Sequence, residues 1–126
     1  SASKNYGATG VVGEQTSGPA HEGFAMLELD RIAVKGKTEA VTIYGLIGDA
    51  TVKESEDFKS WNAAHSAMLE AYRSQKWDVA GAAVTALRQR PNTNTVLYDL
   101  YAERIAEYRE NPPGEAWDGG YVAKSK

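Results

Sequence analysis

The segment Leu29-Asp30-Arg31-Ile32-Ala33-Val34-Lys35-Gly36-Lys37, with Val41-Thr42-Ile43-Tyr44-Gly45-Leu46 close behind it, reads as two strands and a tight connection. β-Branched and apolar residues alternate with polar ones on both sides of a Lys-Gly-Lys tip, the pattern of a hairpin. The first strand signal runs from Phe24 to Lys35. Its alternation slips, because Leu27 and Leu29 share one parity while Ile32 and Val34 hold the other. A slip of one residue turns side chains to the opposite face, so a bulge or bend is predicted near Asp30-Arg31. Lys35-Gly36-Lys37-Thr38-Glu39 is the predicted loop. Ala40–Ile47 is the return strand, with Val41, Ile43 and Ile47 on one face and Thr42, Tyr44 and Leu46 on the other.

Upstream, a short strand is predicted around Thr9–Gly13, and a short helix or turn over Glu14–Ala20. Lys4-Asn5-Tyr6-Gly7 reads as the end of a helix, with Gly7 as its stop. Downstream, the character of the chain changes near residue 50. Residues 1–49 hold eight of the twelve glycines, whereas 55–111 hold only Gly81 and read with helical period. Gly48-Asp49-Ala50-Thr51-Val52-Lys53-Glu54 is the predicted joint.

Three helices are predicted after it. Ser55 is the candidate N-cap of the first, with Glu56 and Asp57 favouring its dipole and Trp61, His65, Met68 and Tyr72 on one face. Trp77, Ala80, Val84 and Leu87 mark the second, which Pro91 ends. Asn94 or Thr95 caps the third, whose face is Leu97, Leu100, Tyr101, Ile105 and Tyr108 and whose stop is Asn111-Pro112-Pro113-Gly114. In the polar tail that follows, Trp117 and Tyr121 are the residues able to dock on the helices. Residues 55–91 loosely resemble one tetratricopeptide helix pair, with a turn one residue shorter than usual. A single degenerate unit makes no peptide-binding array. The predicted class is α+β: a small antiparallel sheet in 1–49, then a three-helix, loosely tetratricopeptide-like half in 50–126.

Composition narrows the chemistry. The chain has 126 residues, 42% hydrophobic and 25% charged, an ordinary globular balance. It has no cysteine, so disulfides, thiolate metal sites and cysteine nucleophiles are excluded. No apolar run approaches the roughly 20 residues of a membrane helix. A net charge of −3 lacks the footprint of a nucleic-acid binder. Of the two histidines, His21 reads as an exposed loop residue and His65 as a hydrogen-bonded residue at the edge of the core. No nucleophile–base–orienter set and no acidic pair with metal-site context is visible. Glu54, Glu56 and Asp57 are explained by the helix start. Gly7, Gly10, Gly13 and Gly18 are spaced too widely for a phosphate loop. The two lysines at the hairpin tip have the chemistry to grip an anion, but by themselves they read as a solvated turn.

Taken together, the 29–37 and 41–46 motifs resemble the C-terminal end of the class III adenylyl/guanylyl cyclase catalytic domain. Leu-Asp, a spacer, Val-Lys-Gly-Lys and Val-x-Ile-Tyr occur in the family order. Lys4-Asn5-Tyr6-Gly7 and Val11-Val12-Gly13-Glu14 also match, while Ala40 stands where the family often has proline. The resemblance covers 1–49. Residues 50–126 more weakly resemble a helical C-terminal extension behind some bacterial cyclases. The resemblance implies a parent adenylate cyclase that makes cyclic AMP from ATP with Mg2+ or Mn2+, working as a homodimer. The parent would be cytoplasmic, as such or as the cytoplasmic part of a membrane-anchored protein. It also implies that the family's metal-binding aspartates, base-reading lysine and transition-state asparagine and arginine lie upstream of this chain. The fragment alone is then expected to be inactive, with no catalytic and no metal-binding residue of its own. One functional residue carries over: Lys35, the loop lysine that contacts the ATP phosphates, with Lys37 as second choice. The alternative is a non-catalytic helical interaction or regulatory module. An exposed apolar groove between helices would favour it, and internal packing of Trp61, Tyr72 and Trp77 would favour a structural appendage.

Overall fold

A computed structural model describes residues 6–7, 10–13, 22–33 and 40–121. The architecture is α+β. Strands β1 (Val11–Gly13), β2 (Phe24–Ile32) and β3 (Val41–Asp49) form an antiparallel sheet in the order β1-β3-β2. Four helices follow: α1 (Ala50–Glu54), α2 (Glu56–Arg73), α3 (Trp77–Arg88) and α4 (Thr95–Glu110).

The predicted hairpin pairing is present, from Phe24–Asp49 at its open end to Ile32–Val41 beside the connection. Glu28 faces Tyr44 and Asp30 faces Ile43, so Leu29 is the extra residue and the predicted bulge lies one position earlier than expected. A second irregularity was not foreseen. Ala25 pairs with Gly48 and Met26 with Leu46, so Ile47 is the extra residue on β3. Gly45 lets the bulged strand close up: a Cβ there would sit 3.1–3.2 Å from three carbons of Leu29.

The joint read over 48–54 is corrected. β3 runs on to Asp49, and the next five residues form α1, because the Asp49 carboxylate accepts the Val52 N–H at 3.2 Å as an N-cap. Ser55 then serves two helices. Its hydroxyl donates to Val52 O at 2.7 Å and accepts from Phe58 N at 3.1 Å. Ser55→Ala is expected to cost about 1 kcal/mol and lower the melting temperature by about 4 °C, which calorimetry will read directly.

Asn94 caps α4, taking the Leu97 N–H on Oδ1, and its Nδ2 donates to Tyr6 O at 2.7 Å. Tyr6 is helical and Gly7 has a φ of +67°, the left-handed stop expected there. A side chain at 7 would also collide with the cap, since its Cβ would lie 2.5 Å from Asn94 Oδ1.

One apolar cluster joins the sheet to the helices. Ala25, Leu27 and Leu29 of β2 pack with Met68, Leu69, Tyr72, Leu97, Tyr98 and Tyr101. After α4 the chain turns at Gly114 and comes back along the helices. Trp117 docks among Tyr72, Trp77 and Tyr108, with ring centroids 5.2–6.1 Å apart. Tyr121 then reaches β2 as a parallel bridge to Ile32. Both tail aromatics thus dock. Among the described residues no helix is long and apolar enough to cross a membrane.

Candidate functional site

Lys35 and Lys37, the rest of the 34–39 connection, the Glu14–Ala20 segment and His21 lie outside the described residues. What the structure defines is the pair of strand ends on either side of the connection that carries Lys35 and Lys37, and how they are held. Ala33 N donates to Tyr121 O at 2.9 Å, and Tyr121 N donates to Arg31 O at 2.7 Å. Arg31 Nη1 donates to Asp118 O at 2.6 Å. Gly120 lies against both ends of the connection: a Cβ there would sit 3.0 Å from Ala40 Cβ and 3.7 Å from Ala33 N. The returning chain therefore acts as a third edge beside the hairpin base.

Directly below this base lies a buried ion pair. Asp30 is 1% exposed and Arg104 6%. Arg104 Nη1 and Nη2 donate to Asp30 Oδ1 and Oδ2 at 2.9 and 2.8 Å, the bidentate fork that best compensates buried charges. Tyr6 Oη donates to Asp30 Oδ2 at 2.6 Å, and the Arg31 N–H donates to Oδ1 at 2.8 Å. Tyr101 Oη donates to Leu29 O at 2.6 Å, a far better partner than Asp30 Oδ1 at 3.4 Å. Tyr121 covers the guanidinium, with its ring centroid 3.6 Å away. Burial works to lower the Arg104 pKa, but hydrogen bonds to Asp30 and its charge outweigh that and raise it. Burial and the neighbouring Asp30 push the Tyr6 and Tyr101 hydroxyls above their ordinary range.

A second network anchors the other side of the bulge. His65 is fully buried. Its Nε2 lies 2.6 Å from Glu28 O, which only accepts, so Nε2 carries the hydrogen. Nδ1 therefore accepts from Tyr98 Oη at 2.8 Å, and Tyr98 in turn accepts from Trp61 Nε1 at 2.8 Å. Every polar atom of the relay is satisfied with neutral imidazole. Desolvation lowers the His65 pKa to about 4, and burial raises Tyr98 to about 12. Arg73 adds an ion pair to the Glu28 side chain at 2.7 Å.

The helices thus grip Glu28, Leu29 and Asp30 one after another, at the bulge that precedes the 34–39 connection. Each ionisable group here is buried or half-buried and has a partner, so the network fixes a strand rather than moving protons. His65 takes the role read for it in the sequence. The Asp30–Arg104 pair was not foreseen. Its signal was present: Arg104 falls within the apolar face that carries Leu97, Tyr101, Ile105 and Tyr108, and a charge on such a face calls for a buried partner. No family model, curated protein or solved structure matches this chain.

Proposed function

We propose that this chain is the C-terminal portion of a class III nucleotide cyclase, whose parent converts ATP to cyclic AMP and pyrophosphate in intracellular signalling. The observation that carries the reading is the order of short motifs along one sheet. Leu29-Asp30-Arg31-Ile32 lies on β2, Val41-Thr42-Ile43-Tyr44 lies antiparallel to it on β3, and Val11-Val12-Gly13 pairs on the far side of β3. Val34-Lys35-Gly36-Lys37 falls in the connection between the two longer strands.

In the reaction the resemblance implies, the ribose 3′ oxygen attacks the α-phosphorus and the bond to the pyrophosphate oxygen breaks. Negative charge grows on the leaving group. A flexible ammonium next to those oxygens stabilises that charge most where water is excluded. Lys35 is assigned this contact, with Lys37 as second choice. The implied Mg2+ or Mn2+ would be held by the family's aspartates, which match no position of this chain. Among the described residues no group of three or more histidine, aspartate or glutamate side chains fits a metal ion. No step assigned to this chain runs through the metal.

The same reading makes the parent a cytoplasmic homodimer through its cyclase domain, and this chain inactive by itself. Residues 50–126 form a helical extension, in which α2 and α3 are a loosely tetratricopeptide-like pair. Trp61 and Tyr72 are buried and Trp77 stacks on Tyr108, which favours an appendage packed on the sheet over an open docking module. The coding frame upstream of Ser1 tests the reading. It is expected to encode two strand-borne aspartates and then Asn-x-x-x-Arg shortly before Ser1. An unrelated sequence or a start codon there would overturn it.

A further inference from the structure

Beside the hairpin base, α4 and the returning residues 113–121 border a groove of about 520 Å3. That lies within the usual range of small-ligand sites, roughly 300–1,000 Å3. Three aromatic rings line it, Tyr108, Trp117 and Tyr121, together with Glu103, Glu107 and the buried Arg104. We propose that this groove binds an alkylammonium group.

Charge and ring chemistry together select the ligand. Glu103 and Glu107 stand one turn apart on α4, both exposed, so their carboxylates share a face. Among the described residues Glu103 has no partner, and Glu107 accepts only the Asn111 amide at 3.2 Å. The charge of Arg104 is offset by the carboxylate of Asp30, so the groove is net negative. An anion would meet two carboxylates. A neutral apolar ligand would strip water from them without replacing it. A cation on an aliphatic stem satisfies the carboxylates and the aromatic faces together. Tyr121 already shows this contact, with the Arg104 guanidinium carbon 3.6 Å from its ring centroid. Tyr108 and Trp117 pack against each other with centroids 5.2 Å apart at 55°, so together they make one continuous aromatic side of the groove.

The ammonium has two possible sources. It is a free amine, or it is a lysine of this chain's own Lys124-Ser125-Lys126, which begins three residues beyond Tyr121. The test is a titration of the 15N-labelled full chain with n-butylammonium and tetramethylammonium chloride, using tert-butanol as the neutral control. The readout is the Trp117 indole N–H, which donates to Gly120 O inside the returning segment. A saturable shift with the two cations and none with tert-butanol is expected. Affinity should fall roughly fivefold in E103Q/E107Q, two exposed substitutions, and fall again at high salt. A K124Q/K126Q variant that binds the probes more tightly assigns the groove to the chain's own lysines, and unchanged affinity assigns it to a free amine. The proposal is overturned by no saturable shift in either the natural chain or K124Q/K126Q. An equal response to tert-butanol, or full affinity in E103Q/E107Q, also overturns it.

Discussion

Arg104→Ala is expected to lower the unfolding free energy by about 3–5 kcal/mol, the cost of leaving a buried charge without its partner. The carboxylate of Asp30 is 1% exposed, so solvent cannot replace the two guanidinium bonds it loses. Only Tyr6 Oη and the Arg31 N–H remain within short reach of it. Single domains are stable by about 5–15 kcal/mol in all, so this one change removes a large part of the total. A second variant guards against simple failure to fold. Asp30→Asn with Arg104→Met removes both charges while keeping an acceptor for Tyr6 and an aliphatic stem under Tyr121. It is expected to be more stable than Arg104→Ala alone. Urea unfolding followed by circular dichroism and by tryptophan fluorescence decides it. Arg104→Ala within about 1 kcal/mol of the natural protein would show that the pair is dispensable, as surface pairs are. Because the pair ties β2 to α4, the two probes are also expected to report one transition.

His65 gives the second large effect, and it depends on pH. The ordinary imidazole pKa is 6.5, and burial lowers it to about 4 in the folded protein. Above pH 6.5 both states are neutral and the group contributes no pH dependence. As the pH falls below 6.5, the unfolded chain takes a proton that the native chain refuses until about 4. Stability is therefore lost across that window and levels off beneath it. At about 1.4 kcal/mol per pH unit the loss comes to about 3 kcal/mol. The hydrogen bonds give the physical reason: a proton on Nδ1 would face the Tyr98 hydroxyl in the position where that hydroxyl now donates. Carboxylates in general titrate towards the lower end of that window, so the comparison is with His65→Gln, which keeps them all. The stability gap between the two proteins is expected to shrink by about 3 kcal/mol from pH 7 to pH 4. Parallel curves would contradict the assignment.

Local chemistry made much of this fold legible. Ser55 and Asn94 are caps because a short polar side chain before an apolar periodic run satisfies orphan N–H groups. The parity slip between Leu29 and Ile32 announced a bulge, since only an extra residue keeps both on buried or half-buried faces. His65 sat on an apolar helix face and had to be hydrogen-bonded to be there. Long-range pairing was not legible. Asp30 and Arg104 are 74 residues apart, and nothing local links them. The bridge from Tyr121 to Ile32 likewise depends on how the chain turns after α4, which the Pro-Pro-Gly stop permits without dictating. The short helix Ala50–Glu54 was hidden because its cap, Asp49, looked like part of a polar joint. For the functional site, the pairing of the two strands that flank Lys-Gly-Lys was legible, while the clamp on them was not, because its parts come from β2, α2, α4 and the returning tail.

The most direct test of the functional account is a cyclic-nucleotide assay on the product of the complete reading frame that encodes this chain. It is run with ATP and Mn2+, with and without Lys35→Ala. The account predicts cyclic AMP formation by the natural protein and a turnover at least tenfold lower in Lys35→Ala, a loss in line with removing one charged transition-state contact of about 1.4 kcal/mol or more, with the unfolding midpoint unchanged. No cyclic nucleotide from the complete protein, or full turnover in Lys35→Ala and Lys37→Ala alike, would contradict it.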